Sequence, residues 1–258
     1  MTDIDIDENQ RPGRVACFVT GTDTGVGKTH ATATLLHALH AAGYTTVGMK
    51  PVASGGEWLD ERWQNDDVEQ LRAAGSVIVP QEEMCPFLMR TPVSPHLAAA
   101  MEGLRITREP IRAAFASLRH RAEAVVVEGV GGFQVPLDVG AARWNTADLA
   151  EMLDLPVVMV VGVRLGCLNH AMLTAEAVRA RGLTLAGWIA NRVDPDMLLP
   201  HENIATLHDA LGALGVPCLG ELPWQVAPAV AATELDLAPL LASMPPHIRY
   251  TAVAQYAD

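Results

Sequence analysis

Positive charge is scarce in this chain. Its 258 residues carry 18 Lys and Arg against 30 Asp and Glu, a formal net charge of -12. Such an acidic balance repels polyphosphate chains and anionic headgroups, so neither nucleic acid nor a membrane surface is an expected partner. The four cysteines, Cys17, Cys85, Cys167 and Cys218, form no Cys-x-x-Cys pair. A zinc knuckle and a dithiol redox motif are thereby excluded, and buried reduced thiols in a cytoplasmic protein are expected instead. The longest apolar run, LPVVMVVGV, falls far short of the ~20 residues that a membrane helix needs. The opening stretch, MTDIDIDENQRPGR, lacks the apolar segment of a secretory signal, and residues 1–13 read as a flexible acidic tail. Internal repeats and low-complexity linkers are absent too, so no domain boundary suggests itself.

What is present is an alternation. With 50% hydrophobic residues, a chain of this length can bury one sizeable core. VACFVT, TTVGMK, AEAVVVEG, PVVMVVGV, LTLAGWIAN and the shorter VPCLGELPW read as strands. Between them, KTHATATLLHALHAAG, DDVEQLRAAG, EPIRAAFASLRHRA, WNTADLAEMLDL, NHAMLTAEAVRARG and HENIATLHDALGALG read as helices. Near-continuous Val/Ile/Leu strands separated by helices imply an α/β fold, a parallel sheet covered on both faces. One domain over residues 14–243 is expected, followed by a tail or dimer arm at 244–258.

The stretch TGTDTGVGKTH, Thr20 to His30, ends like a phosphate-binding loop, although Thr22 stands where the first glycine of G-x-x-x-x-G-K-[ST] belongs. Gly25 and Gly27 still occupy the tight part of the turn, between a buried strand and a helix. That context turns successive N–H groups, with the helix's positive end, toward one point. Lys28 would then reach the β/γ-phosphates, and the Thr29 hydroxyl would face Mg²⁺. The plain alternative is a glycine turn with a surface lysine.

Mg²⁺ also takes one or two carboxylates. Glu128 is the best candidate, because it follows AVVV and so sits at the carboxyl end of a strand, the edge where open α/β sheets bind ligands. Either Asp66 or Asp67 could supply the second, and either could instead cap a helix. Lys50, at the end of the second strand in KPVASGG, shares the edge of Lys28. Two lysines at one anionic site suit a second anion or a charge developing beside the γ-phosphate.

GTDTGVGKT, KPVASG, VEGVGG, VGVRLGCLNHAMLT, LAGWIAN and GELPW, in this order and spacing, resemble the dethiobiotin synthetase family from about Val15 to Trp224. The resemblance implies a P-loop NTPase-like fold and an ATP- and Mg²⁺-dependent cyclo-ligase. In that family 7,8-diaminopelargonic acid takes up CO₂ as a carbamate. ATP activates the carbamate as a carbamic-phosphoric anhydride, and the second amine closes the ring. By motif match, Lys50 would hold the carbamate and Lys28 the transferring phosphoryl, with Thr24 and Ser54 at the diamine. Thr29, Asp67 and Glu128 would be the metal set, Asp67 being favoured over Asp66 by the match.

The nucleotide would lie on Gly25, Val26, Gly27, Lys28, Thr29 and His30, with Gly129, Val130 and Gly131 beside it. Asn191 would read adenine, next to Arg192, Pro223, Trp224 and Gln225. Gly166, Cys167 and Asn169 would bind the far carboxylate of the diamine from the neighbouring subunit of a homodimer. Arg164 reads as a nearby surface charge. Asn203 stands where some members have a tyrosine. A rival relative, the switch ATPase with a deviant phosphate loop, would need a second lysine within the loop and a basic surface, and the chain has neither.

Overall fold

The computed structural model describes residues 13–249. Most of the expected N-terminal tail, and residues 250–258 of the expected C-terminal one, lie outside the described residues. Six strands form one sheet: β1 (Val15–Gly21), β2 (Thr46–Met49), β3 (Ala124–Gly132), β4 (Val157–Val163), β5 (Leu185–Arg192) and β6 (Cys218–Leu222). Their spatial order is β6-β5-β4-β1-β3-β2, and every pairing is parallel. The main helices are α1 (Lys28–Ala41), α2 (Asp66–Ala74), α3 (Arg108–Arg121), α4 (Thr146–Leu153), α5 (Cys167–Ala180) and α6 (Pro200–Gly212).

The sequence pattern explains this layering. All residues of β1, β2 and β4 are buried, so apolar side chains are needed on both faces of each strand, and the two-residue alternation of a half-solvated sheet vanishes. α2 and α4 start where Asn65 and Asn145 cap them, the latter in a reciprocal capping box with Asp148. Trp188 on β5 is fully buried edge-to-face on His208, their rings 5.2 Å apart. Truncating a buried Trp to Ala costs roughly 3–5 kcal/mol.

β1 lies between β3 and β4. The chain leaves it toward one edge for β2 and β3 and toward the other for β4, β5 and β6, so a crevice opens at the carboxyl end of β1.

Two features depart from the expected plan. A hairpin pairs Glu57–Leu59 with Arg62–Gln64 through a turn in which Asp60 and Glu61 both take positive φ. Three-residue strands show no periodicity, and Asp-Glu is not the Asn-Gly that marks such a turn. Residues 244–249, expected in a tail or arm, pack on the domain instead. Met244 and Ile248 are buried, Arg119 Nη2 donates to Ile248 O (2.8 Å) and Arg14 N–H donates to Arg249 O (3.3 Å). Two apolar residues four apart are too few to signal this.

Candidate active site

β1 delivers the chain into the 20–30 loop, where Gly25 and Gly27 take φ of 72° and 79°. L side chains rarely adopt that region, and glycine enters it freely. Gly27 is the N-cap of α1, no side chain caps the helix, and its first N–H groups are left to an external acceptor. Lys28 is buried, its Nζ resting 3.2 Å from Asp23 O. Burial, and then the neighbouring Lys50 ammonium, lower its pKa to about 8.

Opposite the loop, Lys50 just after β2, Asp67 in the first turn of α2 and Glu128 of β3 converge. Glu128 is mid-strand and not at the strand end the sequence suggests, because Gly129 to Gly132 continue the pairing with β1. Thr29 Oγ1 lies 2.8 Å from Asp67 Oδ1 and 2.9 Å from Glu128 Oε1. A hydroxyl has one proton, so it satisfies only one of these carboxylates at a time. The Lys50 ammonium bridges them, 2.8 Å from Asp67 Oδ2 and also bonded to Glu128 Oε1. Burial alone would drive Lys50 toward neutrality, but Glu128 and Asp67 outweigh it and raise its pKa. Burial likewise opposes the charge on Asp67, and Lys50 overcomes it, holding the carboxyl below its usual range.

Asn65, which precedes both Asp66 and Asp67, caps α2. Asn65 accepts the N–H of Asp67 and of Val68, so neither aspartate is needed as a cap. Asp67 turns to Thr29 and Lys50, while Asp66 is exposed. Asn65 Nδ2 also donates to Ser54 O at 3.2 Å, tying the KPVASGG loop to this helix start.

A cavity of 520 Å³ gathers most of the expected residues. Thr24, Gly25, Gly27, Lys28, Thr29 and His30 form one side of it, and Lys50, Ser54 and Asp67 the other. Glu128, Val130 and Gly131 complete it. Gln70, one helical turn beyond Asp67, also lines it. Its spacing of three put it on the same helix face, a signal that was available in the sequence.

A second cavity of 550 Å³ shares Gly25, Gly27 and His30 with the first and extends over Asn191, Arg192, Pro223, Trp224 and Gln225. Trp224 is 44% exposed and so is not a core residue. Arg192 is held by Glu221 at 2.9 Å.

Other expected residues stand apart. Val26 is buried under the loop, and a Cβ on Gly129 would meet the Phe18 ring. Gly166, Cys167 and Asn169 belong to the lining of neither cavity. The Cys167 side chain is 2% exposed and its N–H donates to Arg164 O, so both point into this chain. Asn203 Nδ2 donates to Leu199 O within its own helix. Arg164, expected as a nearby surface charge, is partly exposed, and its Nη2 pairs with Asp23 Oδ2 of the loop at 2.7 Å.

The donor set fits a hard divalent cation. Thr29, Asp67 and Glu128 offer only oxygens, and Glu128 Oε2 is buried without a hydrogen-bond partner, an acceptor that a cation would satisfy. Among the described residues no group of three or more His, Cys, Asp or Glu could hold a metal, so two carboxylates and one hydroxyl are the whole of this set.

The family model described as "AAA domain" matches residues 16–228. The chain is 52% identical over 224 residues to the "ATP-dependent dethiobiotin synthetase BioD" of Aromatoleum aromaticum, covering 86% of this chain and 97% of that one. It is 54% identical over 233 residues to the protein of the same description from Ralstonia nicotianae, covering 90% and 99%. The cell division protein FtsY of Thermotoga maritima aligns at TM-score 0.45 and 15% identity over 93% of this chain and 70% of that one. Identity above 50% with the two synthetases, over most of this chain and nearly all of each of theirs, has one consequence: the chain belongs to the ATP-dependent dethiobiotin synthetase family.

Proposed function

We propose that this protein carries out the Mg²⁺-ATP-dependent carboxylation and ring closure of 7,8-diaminopelargonic acid with CO₂ to dethiobiotin, a step of biotin biosynthesis, releasing ADP and phosphate. One observation carries the reading: Lys28 and Lys50 enter a single cavity with Thr29, Asp67 and Glu128. A triphosphate on the α1 N-terminus would put its γ-phosphoryl beside Lys28. A carbamate, formed when one substrate amine takes up CO₂, needs a cation for its anionic oxygens, and Lys50 is that cation. Thr29, Asp67 and Glu128 would hold Mg²⁺, which when bound neutralises charge on the phosphates.

The chemistry follows from charge. A carbamate carbon bearing anionic oxygens resists attack, so one of its oxygens first displaces ADP from the γ-phosphorus. The resulting anhydride has phosphate as its leaving group, and the second amine closes the ring with loss of a proton. Lys28 steadies the phosphoryl oxygens during transfer, and Lys50 holds the acceptor oxygen in line with them. The adenine is assigned to the cavity of Asn191, Arg192, Pro223, Trp224 and Gln225.

We further infer a homodimer in which the neighbour's Gly166-to-Asn169 segment completes the diamine site. Leu165, just before α5, and Leu173, on its surface, are 92% and 57% exposed, apolar surface that a second subunit would cover. A cytoplasmic location suits the free thiols of Cys17, Cys85, Cys167 and Cys218, and no helix among the described residues is long and apolar enough to cross a membrane.

The test is phosphate release by the purified protein with MgATP and bicarbonate, with and without the diamine. Release dependent on the diamine, with dethiobiotin as product, supports the reading. Hydrolysis indifferent to it would instead favour a switch ATPase.

A further inference from the structure

We propose that Asn191 is a positioning residue for the phosphate loop, acting on the triphosphate through Val26 and not only on the base. The inference rests on the ATP-dependent reading above. Asn191 is the penultimate residue of β5 and is 4% exposed, and its Nδ2 donates to Val26 O at 2.9 Å in a fully buried bond spanning 165 residues.

The loop has little room to choose another position. The Val26 side chain is wedged between strands, since a Cβ on Gly21 would meet it at 2.7 Å and one on Gly162 at 3.0 Å. A Cβ on Gly27 would lie 2.0 Å from Asn191 Nδ2, so the loop backbone is laid directly against the amide. With no side chain capping α1, these contacts set where the loop N–H groups point.

The same amide lines the cavity beside Arg192 and Trp224. One side chain therefore lines the cavity assigned to the base and touches the backbone of the phosphate loop at Val26 and Gly27. Without it, Val26 O is a buried acceptor lacking a donor, and the loop shifts to find one. The loss then falls on phosphate affinity, which a residue that only reads adenine would leave alone.

The experiment compares MgATP with magnesium tripolyphosphate, which has neither base nor ribose, by titration calorimetry on the wild-type chain and on Asn191→Ala. The expected result is a loss of about tenfold in tripolyphosphate affinity, the size of one buried hydrogen bond left unmade. ATP should lose more. Hydrogen exchange at the Gly27, Lys28 and Thr29 amides should quicken while that of β4 is unchanged. Should the alanine variant fail to fold, Asn191→Leu, which keeps the volume and drops the donor, is expected to behave alike. Tripolyphosphate affinity within twofold of wild type, together with weakened ATP binding, overturns the inference while leaving the functional reading intact. A wild-type chain that binds neither ligand overturns both.

Discussion

β1 and β4 end in the same construction. Each runs into a glycine in the left-handed region, Gly27 at φ 79° and Gly166 at φ 94°, and each glycine opens a 14-residue helix without a side-chain cap. The surroundings are opposite. A Cβ on Gly27 would collide with Asn191, whereas one on Gly166 would meet nothing within 4 Å. Lys28 is 7% exposed among Lys50, Asp67 and Glu128, while Leu165 beside Gly166 is 92% exposed. A helix N-terminus is an anion site only in potential. At α1, Lys50 after β2, Glu128 of β3 and Asp67 of α2 supply the charges that make it specific, whereas before α5 the charge of Arg164 is already paired with Asp23, so a site there would need a second copy.

The largest expected effect tests the α1 end. Lys50→Met should lower diamine-dependent phosphate release by about 10²–10³-fold, the scale of losing one charge-stabilising donor, while ATP affinity measured by calorimetry changes far less. Near-normal turnover would remove Lys50 from the mechanism. Because Glu128 is then left buried without its ammonium, a melting curve should accompany the assay, the cost of such an orphaned charge being roughly 3–5 kcal/mol.

The α5 end is next. Leu165→Asp should weaken the dimer by about 30-fold or more in sedimentation, as loss of a central apolar anchor does, and should raise KM for the diamine with little change in that for ATP. Should the chain stay dimeric with KM unaltered, α5 is an ordinary surface helix and the two ends are not comparable.

A third experiment sharpens the α1 side alone. The chain has only two lysines, Lys28 and Lys50. Lys28, lowered to about 8 by burial, should lose its proton as pH rises through that value, so an amine-selective reagent followed by mass spectrometry should mark it increasingly from pH 7 to 9. Lys50, raised by its carboxylates, should stay unmarked over the same range. Tripolyphosphate affinity should fall over this interval, since the Lys28 charge is lost. Equal labelling of both would contradict the proposed environments.

The smallest effect belongs to the Arg164–Asp23 pair, which joins the β4 end to the loop. Both side chains are more than a third exposed, and such pairs contribute about 0.2–1 kcal/mol. Arg164→Ala should therefore raise KM for ATP by less than about fivefold, and a far larger loss would mean that the two ends are coupled more tightly than the structure implies.

Much of the site was legible because it is local. Gly25 to Thr29 and Lys50 after TVGM are each one turn or one strand end, and Glu128 directly follows the buried run AVVV, although its strand continues to Gly132. Asp67 was not separable from Asp66, since the choice depended on which neighbour capped α2, and Asn65 took that role. The 57–64 hairpin and the packing of residues 244–249 leave no local signal, because each depends on a few residues against a surface that no short window contains.

From the sequence alone came the alternation of buried strands and helices, the phosphate loop and the chemical kind of each strand-end group, all set by side-chain type and by spacing within one element. Only the tertiary structure brought Lys50 between Asp67 and Glu128, Arg164 to Asp23 and Asn191 to Val26. Those meetings span 17 to 165 residues, and the order and register of the parallel strands decide them. No local pattern encodes strand order.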